Sequence, residues 1–264
     1  DLLNNIKTNG FAPKTILYLM DCGDCNFIRV EDVGNGNKHC VIGAGARLRD
    51  IERDPVIMES YPSLKEAVNV IGGTQIRNMA TLAGNICNAS PGADTAPVLI
   101  AMGAEAEISR IGPKGRESRW VKMEEVFAGP KKTILKKDEL LTQVRIPFPG
   151  KNSGQSFRRL ARVRLDIAKI NSAVCLERDG ETISEVRVCM GSVAPTPVRT
   201  PSVEKALKGK TFTDILLEEA AVKVLEDINP ITDIRSTAEY RKEVAPILVR
   251  EALEEAWARS GGKK

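Results

Sequence analysis

The sequence has a single histidine among 264 residues, and this scarcity limits the catalytic chemistry that it can support. His39 is the one candidate for a histidine triad or proton shuttle, and no motif frames it. A Gly-x-Gly-x-x-Gly after a strand and a Walker loop are both absent, which removes the usual dinucleotide and nucleoside triphosphate fingerprints. The sequence therefore does not indicate an enzyme that works by acid–base catalysis.

Long apolar runs and a strong net charge are missing as well. No stretch approaches the roughly 18 consecutive apolar residues of a membrane helix, and the start shows no signal-peptide apolar region. The net charge of +4 is too small an excess for this length to indicate nucleic-acid binding. We therefore expect a cytoplasmic protein with no membrane span and no nucleic-acid partner.

The six cysteines are too few for a disulfide scaffold in a chain of this size. Cys22-Gly-Asp-Cys25 has the spacing of half a zinc or iron site, and the adjacent His39 and Cys40 are the second pair on offer. Neighbours on a strand point to opposite faces, so that pair is poorly placed to complete a site. Reduced thiols are the favoured interpretation, and a CxxC metal-binding module is the alternative.

Apolar patterning predicts an α/β first part followed by a smaller α+β part. The expected strands of the first part are 15–20, 40–46, 104–108 and 139–147. A helix is expected to begin at 47, and Ser63-Leu-Lys-Glu66 has the form of a capping box that opens another helix. Two prolines and two glycines within 147–154 predict the boundary between the two parts.

The second part begins with a predicted hairpin, in which strands 172–178 and 182–193 flank an Asp-Gly turn. Helices are expected over 202–208 and 214–227, and a last helix is expected to open with the capping box Ser236-Thr-Ala-Glu239. Pro246 should kink or split that helix.

The chemically most suggestive stretch runs from Ile71 to Asp94, hereafter the 71–94 segment, and it is predicted to be a long loop. Its glycines and alanines allow a ligand to approach the main chain, and Arg77 supplies a positive charge. Hydroxyl and amide side chains suited to phosphate oxygens are Thr74, Asn78, Thr81, Asn85, Asn88 and Ser90. A diphosphate is the natural guest, and the carboxylate of Asp94 suits a sugar or ribityl diol. An exposed connection made of ordinary turn residues is the competing interpretation.

The stretch QIRNMATLAGNICNASPGADTAPVL resembles the second flavin-binding segment of the FAD subunits of molybdenum hydroxylases, the xanthine dehydrogenase and carbon monoxide dehydrogenase family. The resemblance covers nearly the whole chain. Further stretches that follow the family's order and spacing are VIGAGARLRDIE, DELLTQVRIPFP, RRLARVRLDIAKINSAV, GSVAPTPVR and ITDIRSTAEYRKEVAPILVREAL.

This resemblance implies an α+β protein with two domains. Residues 1–150 correspond to a PCMH-type FAD-binding domain of two α/β subdomains, and 154–260 to the C-terminal α+β flavoprotein domain. The glycine-rich first segment of the family would precede Asp1, so the N-terminal subdomain is expected to be truncated in this sequence. Family membership also implies a molybdopterin-containing large subunit and a small subunit with two 2Fe–2S clusters, with NAD or another acceptor receiving the electrons.

The resemblance assigns cofactor contacts by position. Thr81, Gly84, Asn85 and Asp94 correspond to family residues that hold the diphosphate and ribityl parts of FAD, beside Arg77 and Asn78. Leu140 and Arg158 correspond to positions near the flavin ring. Ile71 stands where some relatives have an aromatic ring near the flavin, and Ala83 replaces the first glycine of the family's pair.

Two alternatives to a flavoprotein subunit of such a complex stay open at the level of sequence. One is the reductase of peptidoglycan precursor synthesis, which shares the FAD-binding architecture, although no segment resembles its serine proton donor or its UDP-sugar pocket. The other is an interaction subunit that has lost FAD.

Overall fold

The computed structural model describes residues 1–8, 10, 12–19, 22–34 and 36–262, and among them lie two antiparallel sheets and a short ribbon. The first sheet has the spatial order β1 (Ile28–Gly34), β2 (Asn37–Gly43), β7 (Leu140–Pro147), β3 (Glu105–Gly112) and β4 (Gly115–Lys122). The second has the order β11 (Val198–Arg199), β10 (Thr182–Gly191), β9 (Ile170–Asp179) and β8 (Ser153–Leu160). The ribbon pairs β5 (Phe127–Gly129) with β6 (Lys132–Thr133).

Most helices of the first half pack between the first sheet and the second sheet. The helices of the first half are, in chain order, α1 (Leu2–Thr8), α2 (Leu48–Arg53), α3 (Pro55–Ser60), α4 (Pro62–Asn69), α5 (Thr74–Arg77), α6 (Leu82–Asn88) and α7 (Thr95–Ala101). After the second sheet come α8 (Pro201–Leu207), α9 (Asp214–Val222) and α10 (Ala238–Arg259). The α+β class expected from the sequence is confirmed.

Two hydrophobic cores lie on opposite faces of the second sheet. The first core contains buried residues of the first sheet and of the helices that pack on it, together with Phe157, Ala173 and Cys189 of the second sheet. The second core lies between the other face of that sheet and α8–α10, around Trp257. The molecule is therefore layered as sheet, helices, sheet and helices.

Strand β8 shows how this layering sorts side chains. Gln155 donates to the carbonyl of Ser60 in the first half, over 3.1 Å, and Phe157 is buried in the first core. Ser156 lies on the opposite face and donates to the carbonyl of Ala252 in α10, over 2.6 Å. Alternate residues of a strand point to opposite faces, so odd-numbered residues of β8 face the first half and even-numbered ones face α10.

Most of the predicted elements are present, with shifted ends. Strand 139–147, the hairpin at Asp179-Gly180 and the helices of the second part are confirmed. Helix α10 runs uninterrupted through Pro246, so the helix is not split there. Its N-cap is Thr237, which accepts from the Tyr240 amide, and not Ser236 as the capping-box pattern predicted.

Three further local predictions were wrong. Residues 15–19 form no strand, and residue 20 of that predicted strand lies outside the described residues. Ser63 does not cap α4; it is buried and donates to the side-chain oxygen of Gln155 over 3.2 Å. The 71–94 segment is not a structureless loop, since it contains α5 and α6.

Candidate functional site

The 71–94 segment begins with a tight turn that glycine makes feasible. Gly72 has a φ of +51°, and a Cβ added there would lie 2.9 Å from the Cβ of Ile76. The turn leads into α5, whose residues Thr74 and Ile76 are exposed. The tight turn at Gly72 therefore leads directly into a short helix whose first residues are exposed to solvent.

Arg77 is buried and stabilises this turn through hydrogen bonds. It is 5% exposed, and its Nη1 donates to the carbonyls of Ile71 and Gly72 over 3.2 and 2.8 Å. Its Nε donates to Glu52 over 3.0 Å. Burial raises the pKa of Glu52, but hydrogen bonds from Arg49 and Arg77 outweigh burial and leave that pKa below its ordinary value. The charge of Arg77 is thus used within the protein.

Helix α6 begins at a side-chain cap. Thr81 accepts from the amide of Gly84 over 3.0 Å, and a Cβ on Gly84 would lie 3.0 Å from the Thr81 Oγ1. Capping uses one of the free N–H groups at the helix start and leaves those of Leu82 and Ala83 without intrahelical partners. Gly84 itself is exposed, so backbone and small side chains form the surface here.

Arg47 lies beside this helix start and was missed by the sequence analysis. Its backbone forms an isolated bridge with Thr81, and the next residue, Leu48, donates its amide to the carbonyl of Ala80 over 2.8 Å. The Nε of Arg47 is buried and has no hydrogen-bond partner among the described residues. A buried guanidinium donor without a partner is costly, which indicates an acceptor that the protein alone does not supply. The only indication of Arg47 in the sequence was that it lies within VIGAGARLRDIE, one of the stretches that resemble the family.

Asn78 and Asn85 differ in burial and in the hydrogen bonds that their side chains make. Asn85 is half-buried, and its Oδ1 accepts from Thr95 over 2.6 Å, which leaves its amide group as a donor. Asn78 is exposed just after α5. Asn88, at the end of α6, accepts from Lys131 of the ribbon over 2.9 Å.

Asp94 ends the segment in a buried cluster with two residues of the second sheet. Its Oδ1 accepts from Arg159 Nε over 3.1 Å and from Asn171 Nδ2 over 2.9 Å. Burial raises the pKa of the Asp94 carboxyl, and Arg159 and Asn171 offset part of that effect. A Cβ on Gly191 would lie 2.3 Å from Asn171 Oδ1, so a glycine there gives the asparagine its room. The cluster joins the 71–94 segment to the second sheet.

Arg159 also organises the loop that follows β8, hereafter the 161–168 loop. Its guanidinium donates to the carbonyls of Arg164, over 3.1 Å, and of Asp166. The loop returns to the 71–94 region, where Arg164 donates to Asn69 over 3.1 Å. A Cβ on Gly92 would lie 2.7 Å from the Cγ2 of Ile167, so the two segments are in close contact.

The other two residues assigned by resemblance lie apart from this cluster. Leu140 is 53% exposed at the start of β7, where it pairs with Ser109. Arg158 faces α10 and forms an ion pair with Glu255 over 2.9 Å. Ile71, Arg77, Thr81, Gly84, Asn85 and Asp94 all belong to the 71–94 segment, and the structure places Arg159, not Arg158, in contact with that segment. Strand alternation from the buried Phe157 would have indicated Arg159.

Comparison with known proteins decides the family. Residues 1–149 match the model of the FAD binding domain in molybdopterin dehydrogenase, and residues 155–256 match the CO dehydrogenase flavoprotein C-terminal domain. The chain belongs to the FAD-binding medium-subunit family of the molybdenum hydroxylases. It is thus an oxidoreductase flavoprotein of the carbon monoxide and xanthine dehydrogenase type, and FAD is its cofactor.

Individual relatives support the same family. The carbon monoxide dehydrogenase medium chain of Hydrogenophaga pseudoflava is 33% identical over 98% of this chain and 87% of its own length. A putative xanthine dehydrogenase FAD-binding subunit of Escherichia coli K12 is 32% identical over 84% of this chain and 75% of its own. A crystal structure of cyanide-inactivated Cu,Mo-CO dehydrogenase superposes with a TM-score of 0.89 at 31% identity, covering 98% of this chain and 87% of that one.

The residues of this FAD subunit fit the cofactor of its family. From Ile71 to Ala93 the segment has no acidic residue that would repel a diphosphate. Free backbone N–H groups at the start of α6 and the unpartnered Nε of Arg47 are donors of the kind that phosphate oxygens accept. In the described part of the chain, no helix is long and apolar enough to cross a bilayer. The same residues contain no group of three or more His, Cys, Asp or Glu side chains that could hold a metal ion.

Proposed function

We propose that this chain is the electron-transfer subunit of a cytoplasmic, heteromeric molybdenum hydroxylase. Its partners would be a molybdopterin-containing large subunit and a small subunit with two 2Fe–2S clusters. Electrons from the hydroxylated substrate would pass through the clusters and FAD to NAD or another acceptor. FAD supplies the redox chemistry, and the chain's own residues hold and orient it. The "medium chain" status of the relatives supports a heteromeric assembly.

The observation that carries the proposal is the pairing of Arg47 with the start of α6. The backbone of Arg47 bridges that of Thr81, and the side chain of Arg47 carries a buried donor without a partner among the described residues. Gly84, exposed, and Asn85 follow Thr81 in α6. We assign these residues, with the neighbouring Asn78, to the diphosphate of FAD. Asp94 is assigned to the sugar or ribityl hydroxyls, since a carboxylate accepts from a diol.

Two arginines act indirectly in this proposal: Arg77, which the sequence predicted as a contact, and Arg159, which it did not. Arg77 supports the Ile71–Gly72 turn from below and so positions Ile71, whose side chain is half-buried. Arg159 holds Asp94 and the 161–168 loop. Leu140 and Arg158 keep their assignment near the flavin ring as a hypothesis, which FAD binding by Arg158→Lys tests for Arg158.

Purification of the complex from its native source tests the function. We expect the chain to copurify with a molybdopterin subunit and an iron–sulfur subunit, and its flavin absorption to bleach when the complex turns over without an acceptor. Adding NAD would restore the flavin bands if NAD is the acceptor; restoration only by an artificial dye would assign another acceptor. A complex that contains the chain but no flavin would overturn the proposal.

A further inference from the structure

Cys22 and Cys25 lie on one side of a tight turn just before β1. Residues Gly23–Cys25 form a single 3₁₀ turn, in which the Cys25 amide donates to the Cys22 carbonyl over 3.0 Å. The thiol of Cys25 donates to the sulfur of Cys22, with the two Sγ atoms 3.8 Å apart. Residues three apart in a 3₁₀ turn eclipse one another, which explains why a Cys-x-x-Cys spacing brings the two sulfurs into contact.

The backbone of this turn is anchored on the first sheet. Gly45 donates its amide to the Cys25 carbonyl over 2.7 Å, and Gly43 donates to the Phe27 carbonyl over 2.9 Å. A Cβ would lie 2.3 Å from the Cys25 carbonyl oxygen if added to Gly43, and 3.0 Å from it if added to Gly45. Any larger residue at these positions would displace the turn, so the two glycines fix the backbone that carries the cysteines.

The distances suit a covalent bond between the sulfurs. A hydrogen-bonded four-residue turn keeps its end Cα atoms within about 7 Å, and disulfides span Cα separations of about 4.4–6.8 Å. Closing the bond needs the sulfurs to approach from 3.8 Å to about 2.05 Å, which side-chain rotation can supply while the backbone stays anchored.

The other cysteines differ in position. Cys40 and Cys189 are fully buried, and burial raises the pKa of the Cys40 thiol to about 12. Cys175 is half-buried on β9, and Cys87 is exposed on α6. Burial raises the pKa of the Cys87 thiol to about 11, so Cys87 serves as a control cysteine on the surface of a helix, outside the Cys22–Cys25 turn.

We propose that Cys22 and Cys25 form a reversible intramolecular disulfide, which gives this flavoprotein a second, thiol-based two-electron redox site. The oxidant is a small-molecule disulfide, R–S–S–R. The Cys22 thiolate attacks one sulfur of R–S–S–R, forms a mixed disulfide and releases one RS⁻. The Cys25 thiolate then attacks the Cys22 sulfur and releases the second RS⁻, so two cysteine thiols are oxidised and two RSH molecules are formed.

The order of attack follows from exposure. Cys22 is exposed and open to the incoming disulfide, whereas Cys25 is half-buried. Burial and the hydrogen bond with Cys22 raise the pKa of the Cys25 thiol, which disfavours Cys25 as the first nucleophile. Its sulfur lies 3.8 Å from that of Cys22, which places it to resolve the mixed disulfide. The site stands on this turn alone and does not depend on the electron acceptor of the flavin.

The test uses the FAD-containing protein equilibrated with mixtures of oxidised and reduced glutathione, then acid-quenched, alkylated and analysed by mass spectrometry. We expect a Cys22–Cys25 disulfide whose fraction follows a two-electron equilibrium and which dithiothreitol reverses. Cys25→Ser should instead trap glutathione on Cys22, and Cys87→Ser should leave the Cys22–Cys25 disulfide unchanged.

Three results would overturn the proposal. The first is a wild-type protein in which both cysteines stay alkylatable under oxidised glutathione. The second is a stable glutathione adduct on Cys22 in the wild type as well as in Cys25→Ser, because the resolving step would then be absent. The third is zinc that survives dialysis in the wild type and is lost in Cys22→Ser, which would assign the pair to a metal.

Discussion

The Nε of Arg159 donates to Oδ1 of Asp94 over 3.1 Å, and this contact joins the 71–94 segment to the second sheet. Both side chains are almost fully buried, at 8% and 7% exposure. The acidic end of the segment is therefore held by the half of the chain that matches the C-terminal flavoprotein domain. If the 71–94 segment holds FAD, as we propose, cofactor binding and the packing of the two halves are coupled through this pair.

Removing one member of the pair should destabilise the fold. Asp94→Ala leaves the Arg159 guanidinium and the Asn171 amide without their acceptor, and breaking a buried ion pair in this way costs about 3–5 kcal/mol. Asp94→Asn keeps an oxygen acceptor of the same shape and should cost less. Urea denaturation of the apoprotein measures both variants, and equal stability of Asp94→Ala and the wild type would contradict the cluster's role.

Adjacent arginines on β8 allow a matched test of FAD retention. Arg159→Lys loses the fork of donors that reaches Asp94 and the 161–168 loop, so we expect FAD to bind about 10-fold or more weakly. Arg158→Lys keeps a charge opposite Glu255 at a side chain that is 38% exposed, and should change FAD affinity little. Fluorescence titration with FAD compares them. A larger effect in Arg158→Lys would favour the position near the flavin ring that the family resemblance implied.

Arg47 should contribute to the diphosphate site. Arg47→Gln removes a charge-assisted hydrogen bond worth about 1.5–3 kcal/mol, so the dissociation constant of FAD should rise by roughly 10- to 100-fold. Arg53→Gln, on the exposed side of the same helix α2, is the matched control and should bind FAD like the wild type. Equal FAD affinity in both variants would remove Arg47 from the site.

Gly154 should be intolerant of any side chain. A Cβ there would lie 1.8 Å from the carbonyl oxygen of Ala256 and 2.7 Å from the amide nitrogen of Ser260, both backbone atoms of α10 or its end. We expect Gly154→Ala to cost at least about 1–3 kcal/mol, because helix and strand must separate. At Gly150 the nearest atom is a flexible carboxylate 3.9 Å away, so Gly150→Ala should have the stability of the wild type. Thermal unfolding decides between the two outcomes.

Acid stability should depend on Glu139. Its carboxylate accepts from both Nη atoms of Arg119 and from the amide of Lys136, which lowers its pKa from 4.5 to about 2. The stabilisation from a lowered pKa is fully present above about pH 4.5 and is lost as the pH falls towards 2. The stability difference between the wild type and Glu139→Gln should therefore shrink over this range. A difference that is constant with pH would show that the contact is not linked to ionisation.

Local sequence patterns predicted the regular elements well, because strand alternation and the Asp-Gly turn act over a few residues. They failed at Ser63, where a side chain with the form of a cap is instead bonded to Gln155, a residue far along the chain. They also did not indicate that Arg77, which stays a predicted cofactor contact, donates to Glu52 and to two carbonyls of the protein. Which polar group is free for a ligand depends on long-range contacts, and sequence spacing does not contain them.

By itself the sequence determined the family resemblance and, through it, the FAD cofactor. It also predicted the stretch that would bind FAD, because small residues and amide side chains there suit close approach to a diphosphate. Tertiary structure decided which arginines contact that stretch and which are paired elsewhere. It committed Arg77 to the turn and Arg158 to α10, and it brought Arg159 to Asp94 and Arg47 to Thr81. Burial and strand orientation made that division, since a guanidinium is available to a cofactor only where no protein acceptor already holds it.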